Sequence, residues 1–215
     1  MQHKLPKTML LALLVWAVVP SLKAQVAHIG DILCEGNAIV SPANYPSSGA
    51  TAIGVVFYVD NTGQHGWAVA LQDAGNYSWG HYNSDTSLPN YSDKRQALYD
   101  LDGYTNTLVV RQHCTDHPAF YAVDFENGWY VPAIGQFNYL YGNLVEVNAG
   151  ITIAGGYVFS SSGWEYWSST EHTTNYAWYL NSSGDLNCSN FGYYYGMYQG
   201  QYESIRKGVR AVRNF

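Results

Sequence analysis

Charge is what this sequence has least of. Asp, Glu, Lys and Arg make up only 12% of its 215 residues, about half the share of an ordinary globular protein. The balance is acidic, with ten Lys and Arg against sixteen Asp and Glu and a net charge of −6. A chain of that sign repels phosphate, which disfavours nucleic acid as a partner. Cysteine is confined to Cys34, Cys114 and Cys188. An odd number allows one bridge at most, with three possible pairings, and leaves a thiol over; three buried free thiols are an equal alternative. Catalytic signatures are missing as well. There is no Gly-x-Ser-x-Gly elbow, no phosphate loop and no His-Glu-x-x-His. The carboxylates are scattered, and no pair can be argued to face one cleft. These absences argue against an enzyme.

Long apolar runs are short of membrane length. Met9–Val19 is apolar for eleven residues, too few to span a bilayer. With Lys4 and Lys7 before it and Pro20–Ala24 after it, the stretch reads as a secretory signal cleaved after Ala24. No transmembrane segment is expected, and the protein is expected to be secreted or held at the cell surface. Removing Lys4, Lys7 and Lys23 from the ten basic residues leaves seven against sixteen acidic ones, a net of −9.

What the chain has in quantity is aromatic and neutral polar residues, including twenty Tyr, seven Trp and twenty-one Gly. The length suits a single folded unit. Asp31–Val40 reads as a strand with a turn at Glu35-Gly36-Asn37, and Ile53–Val59 and Gly66–Leu71 as a hairpin closed by Asp60-Asn61-Thr62-Gly63. Gln72–Ser92 is expected to be a long loop. Ser92 with Asp93 predicts a helix start, with Ala97, Leu98 and Leu101 on its inner face and Gly103 at its end. Thr105 or Asn106 caps a second helical segment running to Cys114. His117-Pro118 restarts a helix that Asn127-Gly128 stops. Trp129–Val131 is extended before Pro132. A further helix carries Ile134, Phe137, Leu140 and Tyr141 at helical spacing and closes at Gly142. Leu144–Gly156 is ambiguous. Two strands follow, Tyr166–Thr170 and Tyr176–Leu180, joined by a polar turn, and Val209–Phe215 is a last strand. Strands, then helices, then strands make an α+β pattern, small antiparallel sheets with two or three helices packed on one side. Trp167 and Trp178 are expected in the core. Trp164, which follows the Ser160–Gly163 loop, is expected to be the most exposed of the three.

Several spaced motifs carry a family resemblance. Asp102-Gly103-Tyr104 with Asn106-Thr107, Pro118-Ala119, Gly128-Trp129-Tyr130-Val131-Pro132, Tyr166-Trp167-Ser168-Ser169-Thr170, Ala177-Trp178 and the closing Val209–Phe215 resemble the family named for the C-terminal domain of the Legionella collagen-like adhesin. That family is common in secreted proteins of Bacteroides-type bacteria. The resemblance implies a C-type lectin-like domain over 53–215, after a strand and loop segment at 25–52. In such domains the N- and C-terminal strands pair and later strands form a second small sheet. The calcium-holding Glu-Pro-Asn and Trp-Asn-Asp type triplets of sugar-binding C-type lectins do not occur here, so any binding is expected to be calcium independent. The fold is shared with formylglycine-generating enzymes, which act through a pair of cysteines. Cys188 is the only late cysteine here.

Metal ligation has two candidates. His113 and His117 stand four apart, a spacing that grips zinc on a helix, but Pro118 implies a break between them and no further ligands are spaced nearby. Asp100-Leu101-Asp102-Gly103 begins like a calcium loop, yet its glycine is fourth and its twelfth residue is Arg111, which excludes an EF-hand. No metal and no cofactor are therefore expected. The binding candidates are Trp164, the tyrosines Tyr193, Tyr194, Tyr195 and Tyr198 within the Phe191–Tyr202 run, and the basic Arg206 and Lys207. Tyrosine offers broad amphipathic contact at low entropic cost. Arg206, Lys207, Arg210 and Arg213 together suggest a sulfated polysaccharide. Alternatively, Arg210 and Arg213 point to opposite faces of a strand and pair with internal carboxylates. The expected function is non-enzymatic binding or adhesion to a host or environmental protein or glycan. The alternatives are a structural subunit of a cell-surface assembly, such as a homo-oligomer, and a formylglycine-type enzyme.

Overall fold

A computed structural model describes residues 26–81, 84–190, 193–194 and 203–215. The expected secretory signal and the candidates Tyr195 and Tyr198 lie outside the described residues. Around the first turn, β1 (Ile32–Cys34) and β2 (Ile39–Val40) run antiparallel. After a single helical turn, α1 (Tyr45–Ser48), comes the apolar strand β3 (Ala52–Val59), which forms a hairpin with β4 (Gly66–Ala70). The stretch expected to be a long loop contains a further strand, β5 (Gly75–Ser78). Its Gly-Asn-Tyr-Ser sequence has no apolar alternation to announce it. The strand exists because it pairs with β12 (Arg206–Val209).

Helix caps also differ from expectation. Asp93, not Ser92, caps α2 (Lys94–Ala97), its carboxylate accepting from Arg95 N and Gln96 N. Asp102 caps α3 (Gly103–His113) by accepting from Thr105 N at 3.0 Å. Gly103 therefore opens a helix instead of ending one. A Cβ there would lie 2.6 Å from Ala133 N and from Val131 O, so only glycine lets α3 meet that backbone. Pro118 opens the single turn α4 (Pro118–Tyr121), and Trp129–Tyr130 forms the short β6. The next helix, α5 (Ile134–Gly142), buries Ile134, Phe137 and Leu140. The ambiguous stretch is a full helix, α6 (Leu144–Ala154), which buries Val147, Gly150 and Ile151 at helical spacing and stops at Gly155 with φ +75. Among the described residues the α-helices thus number six, three of them single turns.

The central strands are β7 (Glu165–Thr173) and β8 (Tyr176–Asn181), followed by β9 (Leu186–Asn190); β10 (Tyr193–Tyr194) pairs with β11 (Glu203–Ser204), and β13 (Val212–Asn214) ends the fold. Two larger sheets result. The first has the order β2-β1-β3-β4-β13-β6 and the second β5-β12-β7-β8-β9. Every pair is antiparallel except β12 with β7. The last strand, β13, pairs with β4 and β6 and not with the N-terminal β1, and the early strand β5 joins β12, β7, β8 and β9 in the second sheet, so the direct pairing of first and last strands that the resemblance implied is not found. Helix α5 touches β3 of the first sheet and β7 and β8 of the second.

Trp178 belongs to the core around Phe57, Phe137 and Leu140, and Trp167 to the core around Trp79, Phe120 and Val131. The N–H of each of these core tryptophans finds a carbonyl: Trp79 donates to Ser168 O at 2.6 Å, Trp167 to Tyr77 O at 3.0 Å and Trp178 to Tyr91 O at 2.8 Å. Strand β7 bulges between Trp167 and Glu171, which turns Ser168, Ser169 and Thr170 into the interior. Ser168 donates to Trp178 O, Ser169 Oγ accepts from Asn106, and Thr170 joins Ile134 N to Asp100. The motifs behind the family resemblance are therefore mainly joints between helices and sheets. All three cysteines are free, Cys34 and Cys114 buried and Cys188 exposed, so no bridge forms. Among the described residues no helix is long and apolar enough to cross a membrane.

Candidate functional site: a cleft beside Trp164

The loop before β7 is held in one shape by short-range bonds. Ser160 Oγ donates to Ser162 O, Gly163 adopts φ +84, and Gly163 N donates to Ser182 Oγ at 3.1 Å. Ser182 N returns a bond to Trp164 O at 3.0 Å. The Trp164 indole donates to Ser160 O at 2.6 Å and leans on Phe159 and Tyr166, with ring centroids 5.5 and 5.2 Å away. Trp164 is half-buried, more exposed than Trp167 or Trp178, as expected.

This ring forms one side of a cleft of about 540 Å³, within the usual range for small-ligand sites. Asp73 and Asn76 come from the β4–β5 connection and β5, Glu165 and Tyr166 from β7, Asn181 and Ser182 from the end of β8, and Arg206 and Lys207 from β12. The parallel pairing of Gly208 with Tyr166 lays β12 beside β7. Three sequence candidates, Trp164, Arg206 and Lys207, thus meet at one site. Tyr193 and Tyr194 lie in the ribbon with β11, and Ser204, which pairs with Tyr193, is two residues before Arg206.

The basic residues do not make one positive surface. Lys207 is buried; its ammonium lies 2.5 Å from Glu165 Oε2 and 3.8 Å from the centre of the Tyr179 ring. Arg210 is buried too and serves Asp73, Ala70 O, Leu71 O and Tyr157 O. Arg213 donates to Asn37 Oδ1 at 2.8 Å and packs over Trp129. Arg206 alone of the four is exposed. A run of sulfates has no continuous cationic track here.

Carboxylates that looked scattered in the sequence do share this cleft: Asp73 and Glu165 both line it. Each is already engaged, Asp73 with Arg210 and the Tyr166 hydroxyl, Glu165 with Lys207. Burial, and then the adjacent Asp73 anion, push the Tyr166 phenol far above its usual range, so it acts as a hydrogen-bond donor. The arrangement offers one aromatic face, one exposed guanidinium, amides and hydroxyls. Sequence reasoning missed Asp73, Asn76, Asn181 and Ser182, because only the tertiary pairing of β5, β12 and β7 brings them together. As the break at Pro118 implied, His113 and His117 do not share a helix: His113 is the exposed last residue of α3 and His117 lies buried past the break.

No family model matches the chain, and no curated protein matches it in sequence. In structure it is similar to a fimbrial protein from Bacteroides ovatus, with a TM-score of 0.61 and 18% identity over 87% of this chain and 49% of that one. The chain spans about half the length of that protein. At this identity the likeness is one of fold.

Proposed function

We propose that the chain is an exported, non-enzymatic subunit of a cell-surface assembly of the fimbrial kind. The observation that carries this reading is the fold shared with a fimbrial protein over 87% of the chain. Fold alone hosts many activities, so the test is made on the assembly. The protein is followed by antibody in the cell-surface fraction of its source cells, with cross-linking and solution mass measurement. Ladders of linked subunits or a co-purifying filament are expected. A strict monomer with no cross-linked partner on the cell overturns the proposal.

The cleft favours a second role within that assembly, calcium-independent contact with a glycan or peptide. The indole of Trp164 offers an apolar face to a sugar ring, while Asn76, Asn181, Ser182 and Arg206 supply hydrogen-bonding groups around it. A glycan and peptide array in the presence of a calcium chelator tests it; a protein that retains nothing on either array sinks the binding role.

A further inference from the structure

The junction of α3 and α4 gathers side chains that take no part in the cleft. The chain leaves α3 at Cys114, whose N–H donates to Val110 O, and re-enters helix at Pro118. The residues between turn so that Cys114 Sγ, a carboxylate oxygen of Asp116 and a ring nitrogen of His117 lie within 4.8 Å of one another. His117 Nδ1 is 3.0 Å from Asp116 Oδ1. The facing loop after β5 adds His81, whose Nδ1 is 3.9 Å from Asp116 Oδ2. Ser84 Oγ of the same loop lies 3.4 Å from Asp116 Oδ1 and 3.8 Å from Cys114 Sγ.

Burial is graded across this group. The His117 side chain is 0% exposed, while those of Asp116 and His81 are 48% and 49% exposed. The floor is closed and the mouth is open, which gives an ion a way in. Gly80 backs onto the His117 ring so closely that a Cβ there would lie 2.3 Å from Nε2. The loop backbone thus covers the Nε2 edge, and Nδ1 is the nitrogen that faces Asp116.

We propose that Cys114, Asp116, His117 and His81 form a binding site for a single zinc ion, which ties the loop after β5 to the α3–α4 junction. One sulfur, two imidazoles and one carboxylate select a borderline-soft ion over calcium or magnesium, which favour oxygen ligands. Four such ligands complete the tetrahedron of a structural zinc site. Bond lengths of about 2.0–2.3 Å require the ligand atoms of Cys114, Asp116 and His117, which lie within 4.8 Å of one another, to draw together, and His81, 3.9 Å from Asp116, to swing in as the fourth ligand. Asp116 and His81, each with about half of its side chain exposed, supply most of that movement. His113, the other histidine of the sequence motif, is left out.

The experiment uses the chain lacking its leader, stripped with chelator, and titrated with Co²⁺ and then Zn²⁺. One equivalent of Co²⁺ is expected to give tetrahedral ligand-field bands with a thiolate charge-transfer band, and Zn²⁺ to displace them and raise the melting temperature. Cys114→Ser is expected to abolish the charge-transfer band. Asp116→Asn and His81→Ala, both at exposed positions, are expected to weaken Zn²⁺ at least tenfold without loss of fold by circular dichroism. His113→Ala should change nothing. The proposal is overturned if no charge-transfer band forms, if the band survives Cys114→Ser, or if Asp116→Asn and His81→Ala leave Zn²⁺ affinity unchanged.

Discussion

The Arg210 guanidinium lies 2.7 Å from Asp73 Oδ1, joining the last turn of the chain to the connection between β4 and β5 across 137 residues. Arg210 is 1% exposed and also donates to the carbonyls of Ala70, Leu71 and Tyr157. Asp73 is shared with the Tyr166 hydroxyl at 2.8 Å. One buried cation thus joins the two sheets and sets the wall of the cleft.

Arg210→Ala is expected to cost about 3–5 kcal/mol, because it empties a buried side-chain volume and takes the charged donor from three carbonyls and from Asp73, which keeps only the Tyr166 hydroxyl. Asp73→Asn keeps the shape and loses only the charge. Its cost should be smaller, about 1.5–3 kcal/mol. Urea unfolding of both variants checks the order; equal midpoints would contradict it.

Glu171 makes stability depend on pH. It is 3% exposed. Burial is the main cause that raises its carboxyl from 4.5 to about 7; the Thr86 hydroxyl bonded to it opposes the rise, and the nearby Asp85 adds to it. The native state therefore holds a proton that the unfolded chain releases. This contribution is fully present below pH 4.5 and is lost as pH rises to about 7, a change on the order of 3 kcal/mol. Urea unfolding at pH 5 and pH 8 should show the loss in the native sequence. Glu171→Gln should remove most of that difference.

Thr170 tests the bulge in β7. Its hydroxyl accepts from Ile134 N at 2.9 Å and donates to Asp100 Oδ2 at 2.7 Å. Thr170→Val keeps the volume but leaves the buried N–H unmatched, at about 1–3 kcal/mol. Thr170→Ser keeps the hydroxyl and should cost less, as thermal melts of the two variants would show.

Trp164 tests the cleft. Its ring is half-buried at the rim and leans on Phe159 and Tyr166. Trp164→Ala is expected to weaken any ligand found on the arrays by about tenfold, the size of one aromatic stacking contact. Arg206→Ala, at an exposed position, should weaken an acidic ligand and leave the melting temperature unchanged. Titration calorimetry with the array hit separates the two effects.

The α+β class, the β3–β4 hairpin, the apolar face of α5 and the burial of Trp167 and Trp178 were all legible in residue order, because they rest on local periodicity and turn chemistry. Trp164, Arg206 and Lys207 stood in residue order only as separate candidates; that they line one cleft was not legible there. Packing alone made Gly103 a helix start, drew β5 out of a polar stretch and turned Ser168–Thr170 inward. The Cys114, Asp116 and His117 group had the same origin: its spacing fits no single helix, and the break before Pro118 that seemed to rule out ligation is what folds those side chains together. Such features depend on partners far away in the chain, and a pattern read over ten residues carries no record of them. Asp73 and Arg210 show the limit most plainly, since neither residue's neighbours in sequence hint at the other.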